Sequence, residues 1–275
     1  LFWFIIMSKK ECIITGANGA VGTELANFFM KKNWEVICLS RTKHKNHKYF
    51  DLKNPSKSIN YIKNRADLLI HCAYDFKSTN LNLNKNLNIL GSKKLFLIAK
   101  NKKIKKIINI STLSAFAEAK SNYGKIKYEI EKIAKKYNVI NIRLGLFKSK
   151  KSNLYSKIKK IAKYGYIVPL IGDGNYKLHI TTVKYLTEFL LKIYSLNQIN
   201  KIFLVCEKKN TTLKKLLINR NLKYQFFINI NLKIILFFFK ILEIMNINIG
   251  FTKDNLLGLI NYNNKLKSLL PYKNF

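Results

Sequence analysis

The stretch Thr15-Gly16-Ala17-Asn18-Gly19-Ala20-Val21-Gly22 limits what this chain can fold into more than any other segment. It follows the apolar run Cys12 to Thr15 and opens a segment in which Val21, Leu25, Phe28 and Phe29 recur at i, i+4, i+7 and i+8. That spacing is the stripe of a helix laid on a sheet. A strand, a glycine turn and a helix in this order form a cradle for a dinucleotide. Gly16 permits the tight turn, Gly19 lets backbone amides approach a pyrophosphate, and Gly22 lets the helix pack close to the strand. The helix start then offers N–H donors and a partial positive charge to the phosphates.

Short β-branched runs alternate with longer helical patterns over the first half, so βαβ units and a parallel sheet are expected. Strands are read at Cys12 to Thr15, Val36 to Leu39, weakly at Tyr49 to Leu52, Leu68 to Ala73, Ile107 to Ile110 and Val139 to Ile142. Helices are read at Leu81 to Lys100 and Tyr123 to Tyr137. Right-handed crossovers give these strands the order 3-2-1-4-5-6. The expected fold class is α/β: a Rossmann doubly wound parallel sheet over residues 8–146, with a small C-terminal substrate-binding lobe over 147–275 interleaved with the sheet. The second half suggests a helix at Tyr155 to Tyr164, a loop from Pro169 to Asn175, a helix after Val183 and an apolar C-terminal segment.

A formal net charge of +37 invites a polyanionic partner. Only four of the 51 basic residues are arginine, however, and the lysines run through the whole length beside abundant Asn and Ile. Arginine forks and clustered stripes, the usual tools for reading nucleic acid, are missing, so no nucleic-acid role is assigned. Cys12, Cys38, Cys72 and Cys206 form no CxxC pair, and three of them fall in apolar strand runs. Reduced thiols and a cytoplasmic setting are expected. His44 and His47 sit in a lysine-rich loop and read as solvated, so no metal site is expected. The opening Leu1 to Met7 is far shorter than the roughly 20 residues of a membrane span and lacks the flanks of a signal peptide, and Met7 reads as the start. Ile234 to Phe239, between Lys233 and Lys240, reads as a buried or interface-lying helix, which leaves peripheral membrane contact open.

The spacing is GxxGxxG after Thr15, and it resembles the TGxxGxxG fingerprint of the extended short-chain dehydrogenase/reductase superfamily, the NAD-dependent epimerase/dehydratase group. The resemblance covers roughly residues 10 to 190. It implies a cofactor of the NAD(P) type. Strand two ends Leu39-Ser40-Arg41, where an NAD site usually carries an acid for the ribose 2′-hydroxyl. Arg41 suits a 2′-phosphate instead, which favours NADP over NAD. Asp51-Leu52 resembles the family's contact to adenine, and His71-Cys72-Ala73 the strand end beneath the cofactor ribose. His71 itself reads as a satisfied strand-end histidine.

A Tyr-x-x-x-Lys pair is the chemistry the resemblance calls for, but the spacing alone selects nothing. With 15 Tyr and 47 Lys (51 basic residues less four Arg), chance yields about 2.6 matches, and four exist. Tyr123 and Lys127 alone open the helix after strand five, downstream of Ser111-Thr112, as in the family. Spacing of i, i+4 puts them on one helix face. A free phenol titrates near 10, and lowering that by about 2–3 pH units takes about 3–4 kcal/mol, which two nearby cations in a closed site can supply. The resemblance gives Thr112 a hydrogen bond to the reacting oxygen, with Ser111 as its alternate. It also has Lys127 hold the nicotinamide ribose, and Asn88, in Asn88-Ile89-Leu90-Gly91-Ser92, relay protons. On the substrate side, Arg143-Leu144-Gly145 resembles the turn beside the nicotinamide, and Gly172 and Gly174 of Gly172-Asp173-Gly174 a sugar-nucleotide loop.

Leu113-Ser114 follows Thr112 where dehydratases of the family carry Asp-Glu, so elimination of water is not expected. Only ten residues separate Thr112 from Tyr123, and Phe116-Ala117 replaces the common Tyr-Gly, which implies a more open pocket or a substrate unlike a full sugar nucleotide. The expected activity is reversible hydride transfer by an epimerase or ketoreductase on a nucleotide-linked sugar for cell-surface carbohydrate. The alternative is a non-catalytic NAD(P)-binding sensor or assembly factor. A homodimer is compatible with either.

Overall fold

The computed structural model describes residues 9–42, 46–76, 81–164, 166–196, 202–219, 221–222, 224–247 and 251–261; Leu1 to Met7 and His44 lie outside them. In chain order come β1 (Glu11–Thr15), α1 (Ala20–Lys31), β2 (Glu35–Ser40), β3 (His47–Tyr49), a 3₁₀ segment (Pro55–Tyr61), β4 (Leu68–His71), α2 (Leu81–Asn101), β5 (Lys106–Thr112), α3 (Asn122–Lys136) and β6 (Ile140–Leu144). They are followed by β7 (Leu146–Lys148), α4 (Asn153–Tyr164), β8 (Ile167–Ile171), β9 (Lys177–Leu178), β10 (Ile180–Thr182), α5 (Val183–Ser195), β11 (Ile202–Val205), β12 (Thr211–Thr212), α6 (Leu213–Leu217), β13 (Phe226–Ile230), α7 (Leu232–Ile244) and α8 (Lys253–Ile260).

Seven strands form one sheet in the order β11-β6-β5-β4-β1-β2-β3. β1 pairs in parallel with β2 and β4, β2 with β3, and β4 with β5. The order expected from sequence therefore holds, and β11 extends it beyond β6. β1 is central because Cys12, Ile13 and Ile14 are apolar on both pleat faces, and all three are fully buried. α1 covers the sheet through Leu25, Ala26 and Phe29, and the Phe29 ring stands edge-on to Phe28 and Trp34 at 5.4 and 5.0 Å.

Contacts gather the described residues into two compact units. One comprises the described residues within Leu1–Ile110, Glu129–Ile142 and Leu190–Ile202, the other those within Ser111–Tyr128, Arg143–Phe189 and Phe203–Phe275. In the first, the Lys106 ammonium donates to the carbonyls of Ile193, Tyr194 and Leu196 at 2.6, 2.8 and 2.6 Å. Placing a cation on the last carbonyls of α5 offsets the negative helix end. In the second, β8 and β13 pair in parallel over a core that includes Ile158, Val168, Leu170, Leu213, Phe239 and Leu256.

Three sequence expectations shift. The third strand forms at His47–Tyr49, ahead of the expected Tyr49 to Leu52, and Leu52 is buried past its end. β4 stops at His71, so Cys72 and Ala73 follow the strand. Pro169 to Ile171 belong to β8 and leave only Gly172 to Asn175 as a turn. Proline hid this strand, because it cannot donate to a ladder, yet here it pairs opposite Ile228 at one edge.

None of the four cysteines forms a disulfide. Burial, aided by Cys72, Cys38 and Asp67, pushes the Cys12 thiol well above its ordinary range. Burial raises Cys38 as well and takes Cys206 to about 11. Cys72 is only partly buried. With Ellman's reagent at mildly alkaline pH, Cys72 is expected to react first and the other three only on unfolding. Cys72→Ser should remove the fast phase of absorbance change.

Candidate active site

The turn after β1 is shaped by close backbone contact. Gly16 has φ +67°, and a Cβ there would sit 2.7 Å from both Cα and N of Ala73. At Gly22 a Cβ would overlap the Gly16 carbonyl and stand 2.8 Å from Ala17 Cα. Gly19 caps α1 in extended conformation without any side-chain hydrogen bond to the helix, and its N–H reaches the Gly16 carbonyl at 2.9 Å. The Ala17 N–H donates to Leu39 at 3.1 Å, and Asn18 Nδ2 donates to Thr42 Oγ1, so the turn is tied to β2. Ala20 and Val21 form the first helical residues. The result is a tight glycine turn at a helix N-terminus, whose polarity suits a pyrophosphate.

Behind this turn runs a buried polar chain. The Ser92 hydroxyl donates to the Asn88 carbonyl at 2.7 Å, so it accepts from His71 Nε2 at 2.9 Å. On its other side His71 Nδ1 lies 2.8 Å from Thr15 Oγ1. Asn88 Oδ1 accepts the Asp75 N–H at 2.8 Å, and Asn88 Nδ2 donates to the Asp75 carbonyl at 3.1 Å. Asp75 in turn accepts from Arg41 Nη1 at 2.6 Å, and this hydrogen bond heads the causes that raise the guanidinium further. Gly91 lets α2 close on the Leu52 carbonyl. Asp51 accepts the Lys53 N–H at 2.9 Å and the Tyr49 hydroxyl at 3.3 Å.

In the second unit, Ser111 is buried and Thr112 half-buried at the end of β5. Thr112 Oγ1 lies 3.2 Å from Ser114 Oγ. Gly124 presses the first turn of α3 onto this segment: a Cβ there would overlap the Ser114 carbonyl and lie 2.8 Å from Ser121 Oγ. Tyr123 and Lys127 share one face of α3, with the Lys127 ammonium 6.0 Å from the Tyr123 ring centroid. Tyr123 is half-buried and Lys127 buried, an ammonium withdrawn from bulk water beside a phenol. Arg143 is buried at the end of β6, and the Gly145 N–H donates to Thr181 Oγ1 at 2.9 Å. Gly172 and Gly174 take φ +58° and +72° in the turn after β8, where Asp173 accepts the Asn175 N–H at 2.9 Å.

Sequence reading missed three residues here. Asp75 anchors Arg41, and Thr181, fully buried, links Gly145 to the Val205 carbonyl. Asp254, in the first turn of α8, accepts the N–H of Asn122 at 2.5 Å and of Tyr123 at 3.2 Å. A carboxylate on these two amides satisfies the start of α3 and complements its dipole. A local signal for α8 did exist, the Thr252-to-Asn255 capping box. Its partner helix lies some 130 residues away, and no local pattern encodes that. Among the described residues no group of His, Cys, Asp and Glu could hold a metal ion.

Residues 12–144 match the family profile described as NAD dependent epimerase/dehydratase family. No curated protein matches the sequence. Solved structures do match the fold. The ADP-L-glycero-D-manno-heptose-6-epimerase of Helicobacter pylori aligns with TM-score 0.68 at 17% identity over 81% of this chain and 86% of its own. The UDP-glucose 4-epimerase of Thermotoga maritima, solved with UDP-glucose, aligns with TM-score 0.66 at 17% identity over 80% and 85%. The dTDP-glucose 4,6-dehydratase of Bacillus anthracis, solved with NAD, gives 0.64 at 15% over 81% and 84%.

Two glycines of the second unit should respond oppositely to a methyl group. Gly124→Ala meets a backbone carbonyl and is expected to lower unfolding free energy by about 1–3 kcal/mol despite alanine's better helix propensity. A Cβ at Gly258 lies 3.5 Å from its nearest neighbour, ordinary contact, so Gly258→Ala should stabilise by about 0.5–1 kcal/mol. Urea unfolding of the two variants measures both.

Proposed function

We propose that this chain, whose residues 12–144 match the NAD dependent epimerase/dehydratase family profile, is an epimerase or ketoreductase of that family acting on a nucleotide-linked sugar. The observation that carries this reading is the pairing of Tyr123 and Lys127 on one face of α3, with that helix start pinned against the Thr112 to Ser114 segment. A protein that only bound a dinucleotide would need the glycine cradle and not this pair.

The cradle fits the cofactor: Gly16 and Gly22 leave room that a Cβ would fill, and the α1 start favours an anion. When bound, the nicotinamide supplies a reversible hydride acceptor. Tyr123 as phenolate takes the proton of a sugar hydroxyl as that carbon is oxidised, and as phenol returns it on reduction. Lys127 lowers the cost of the phenolate through its nearby positive charge and holds ribose hydroxyls of the cofactor. Thr112, with Ser111 as alternate, hydrogen-bonds the reacting oxygen. Asn88 acts by fixing the backbone at Asp75, since both ends of its amide are committed there. Arg143, Gly172 and Gly174 belong to the substrate side.

Leu113-Ser114 stands where an eliminating enzyme carries two acids, which favours epimerisation or ketone reduction over dehydration. For the cofactor we favour NADP. Arg41 follows β2 directly, and its fork has N–H groups beyond the Nη1 contact that Asp75 accepts.

Two measurements test this. Because Cys72 adjoins Gly16, a bound dinucleotide should protect its thiol from Ellman's reagent, NADPH at lower concentration than NADH. Arg41→Ala should narrow that difference by roughly tenfold. Tyr123→Phe should keep the protection while turnover of the nucleotide sugar falls by about 10²-fold or more. Full turnover in Tyr123→Phe rejects the catalytic assignment, and equal protection by both cofactors rejects the NADP preference.

A further inference from the structure

Helix α7 is apolar on two opposite sides. Ile235, Leu236, Phe239 and Leu242 face the core of their own unit. Ile234, Phe237, Phe238, Ile241, Ile244 and Met245 recur at i, i+3, i+4, i+7, i+10 and i+11 and face solvent. Phe237 and Phe238 are 64% and 53% exposed, Ile244 72%. A helix on a globular surface needs one apolar stripe, and the outward face is normally polar. The outward stripe here runs about 16 Å at 1.5 Å per residue, too large a run to treat as scattered surface apolars.

Charge selects what covers it. Lys233 and Lys240, seven residues apart, fall on one border of the ridge, and Glu243 is the sole acid of the helix. From 203 to 261 the chain carries nine Lys or Arg against three acids, Glu207, Glu243 and Asp254, and Asp254 is committed to α3. A second copy would bring the same lysines, and another net charge of +37, against this ridge. An anionic bilayer offers both an apolar layer for the phenyl rings and phosphates for the ammonium groups, which lysine stems reach by extending along the surface. Among the described residues no helix is long and apolar enough to cross a membrane, so the geometry is that of a helix lying in the interface.

We propose that the Ile234 to Met245 ridge docks the protein on an anionic phospholipid surface. The test is co-sedimentation of the full chain with vesicles of phosphatidylcholine alone and of phosphatidylcholine mixed with phosphatidylglycerol, at physiological salt. Binding to the mixed vesicles is expected. It should drop at least about tenfold in Phe237→Ser/Phe238→Ser, whose melting temperature should match the native protein because both rings are exposed, and a few-fold in Lys233→Gln/Lys240→Gln. Equal binding to both vesicle types overturns the proposal, as does undiminished binding of the phenylalanine variant, since charge alone would then explain it. Failure of the native protein to bind overturns it too. If sedimentation velocity then shows a self-association that the phenylalanine variant loses, the ridge is an interface between copies of this chain.

Discussion

Backbone packed directly on backbone is the constraint from which the rest of this structure follows. The turn between β1 and α1 closes only because Gly22 allows the helix onto the Gly16 carbonyl and Gly16 itself tolerates both φ +67° and the approach of Ala73. With those contacts made, the turn brings its backbone to the start of α1. The same device recurs where α3 meets Ser114. Each contact brings a helix closer than any side chain would allow, and such close placement is what positions reacting groups.

The scarcity of acids makes each one informative. Fourteen carboxylates face 51 basic side chains, and several of them hold defined structural positions. Asp67 accepts the Glu11 N–H at 2.8 Å and the Lys105 ammonium at 2.7 Å. Burial opposes its ionisation, yet those donors keep its carboxyl below the usual range. Glu11 and Glu35 share Lys63 at 2.6 Å each across the end of the β1–β2 pair. These last ion pairs are well exposed and add little free energy each. Asp75 and Asp254, nearer the candidate site, act through geometry, orienting Arg41 and capping α3.

Much of the first unit was legible in sequence because its signals are local. Strand order followed from alternating runs and fixed handedness, and the glycine turn from its position between a strand and a helix. Asn88, Gly91 and Ser92 stood out as a motif, though their work became clear only in three dimensions: one clamps Asp75, one admits Leu52, one holds His71. The second unit was less legible. β8 contains a proline, β9 and β12 are two residues each, and β11 is only four. The residues that sequence missed, Asp75, Thr181 and Asp254, are polar groups whose partners lie 24 to 132 positions away. Spacing along a chain cannot report such pairings.

The carboxylate at the start of α8 ties two distant stretches of chain together. The contacts that close the glycine turn run no further along the chain than Ala73, whereas the amides of Asn122 and Tyr123 are met by Asp254, 132 and 131 positions further on. A substitution at Asp254 therefore reaches Tyr123 through the backbone of α3 and leaves the contacts of the glycine turn in place.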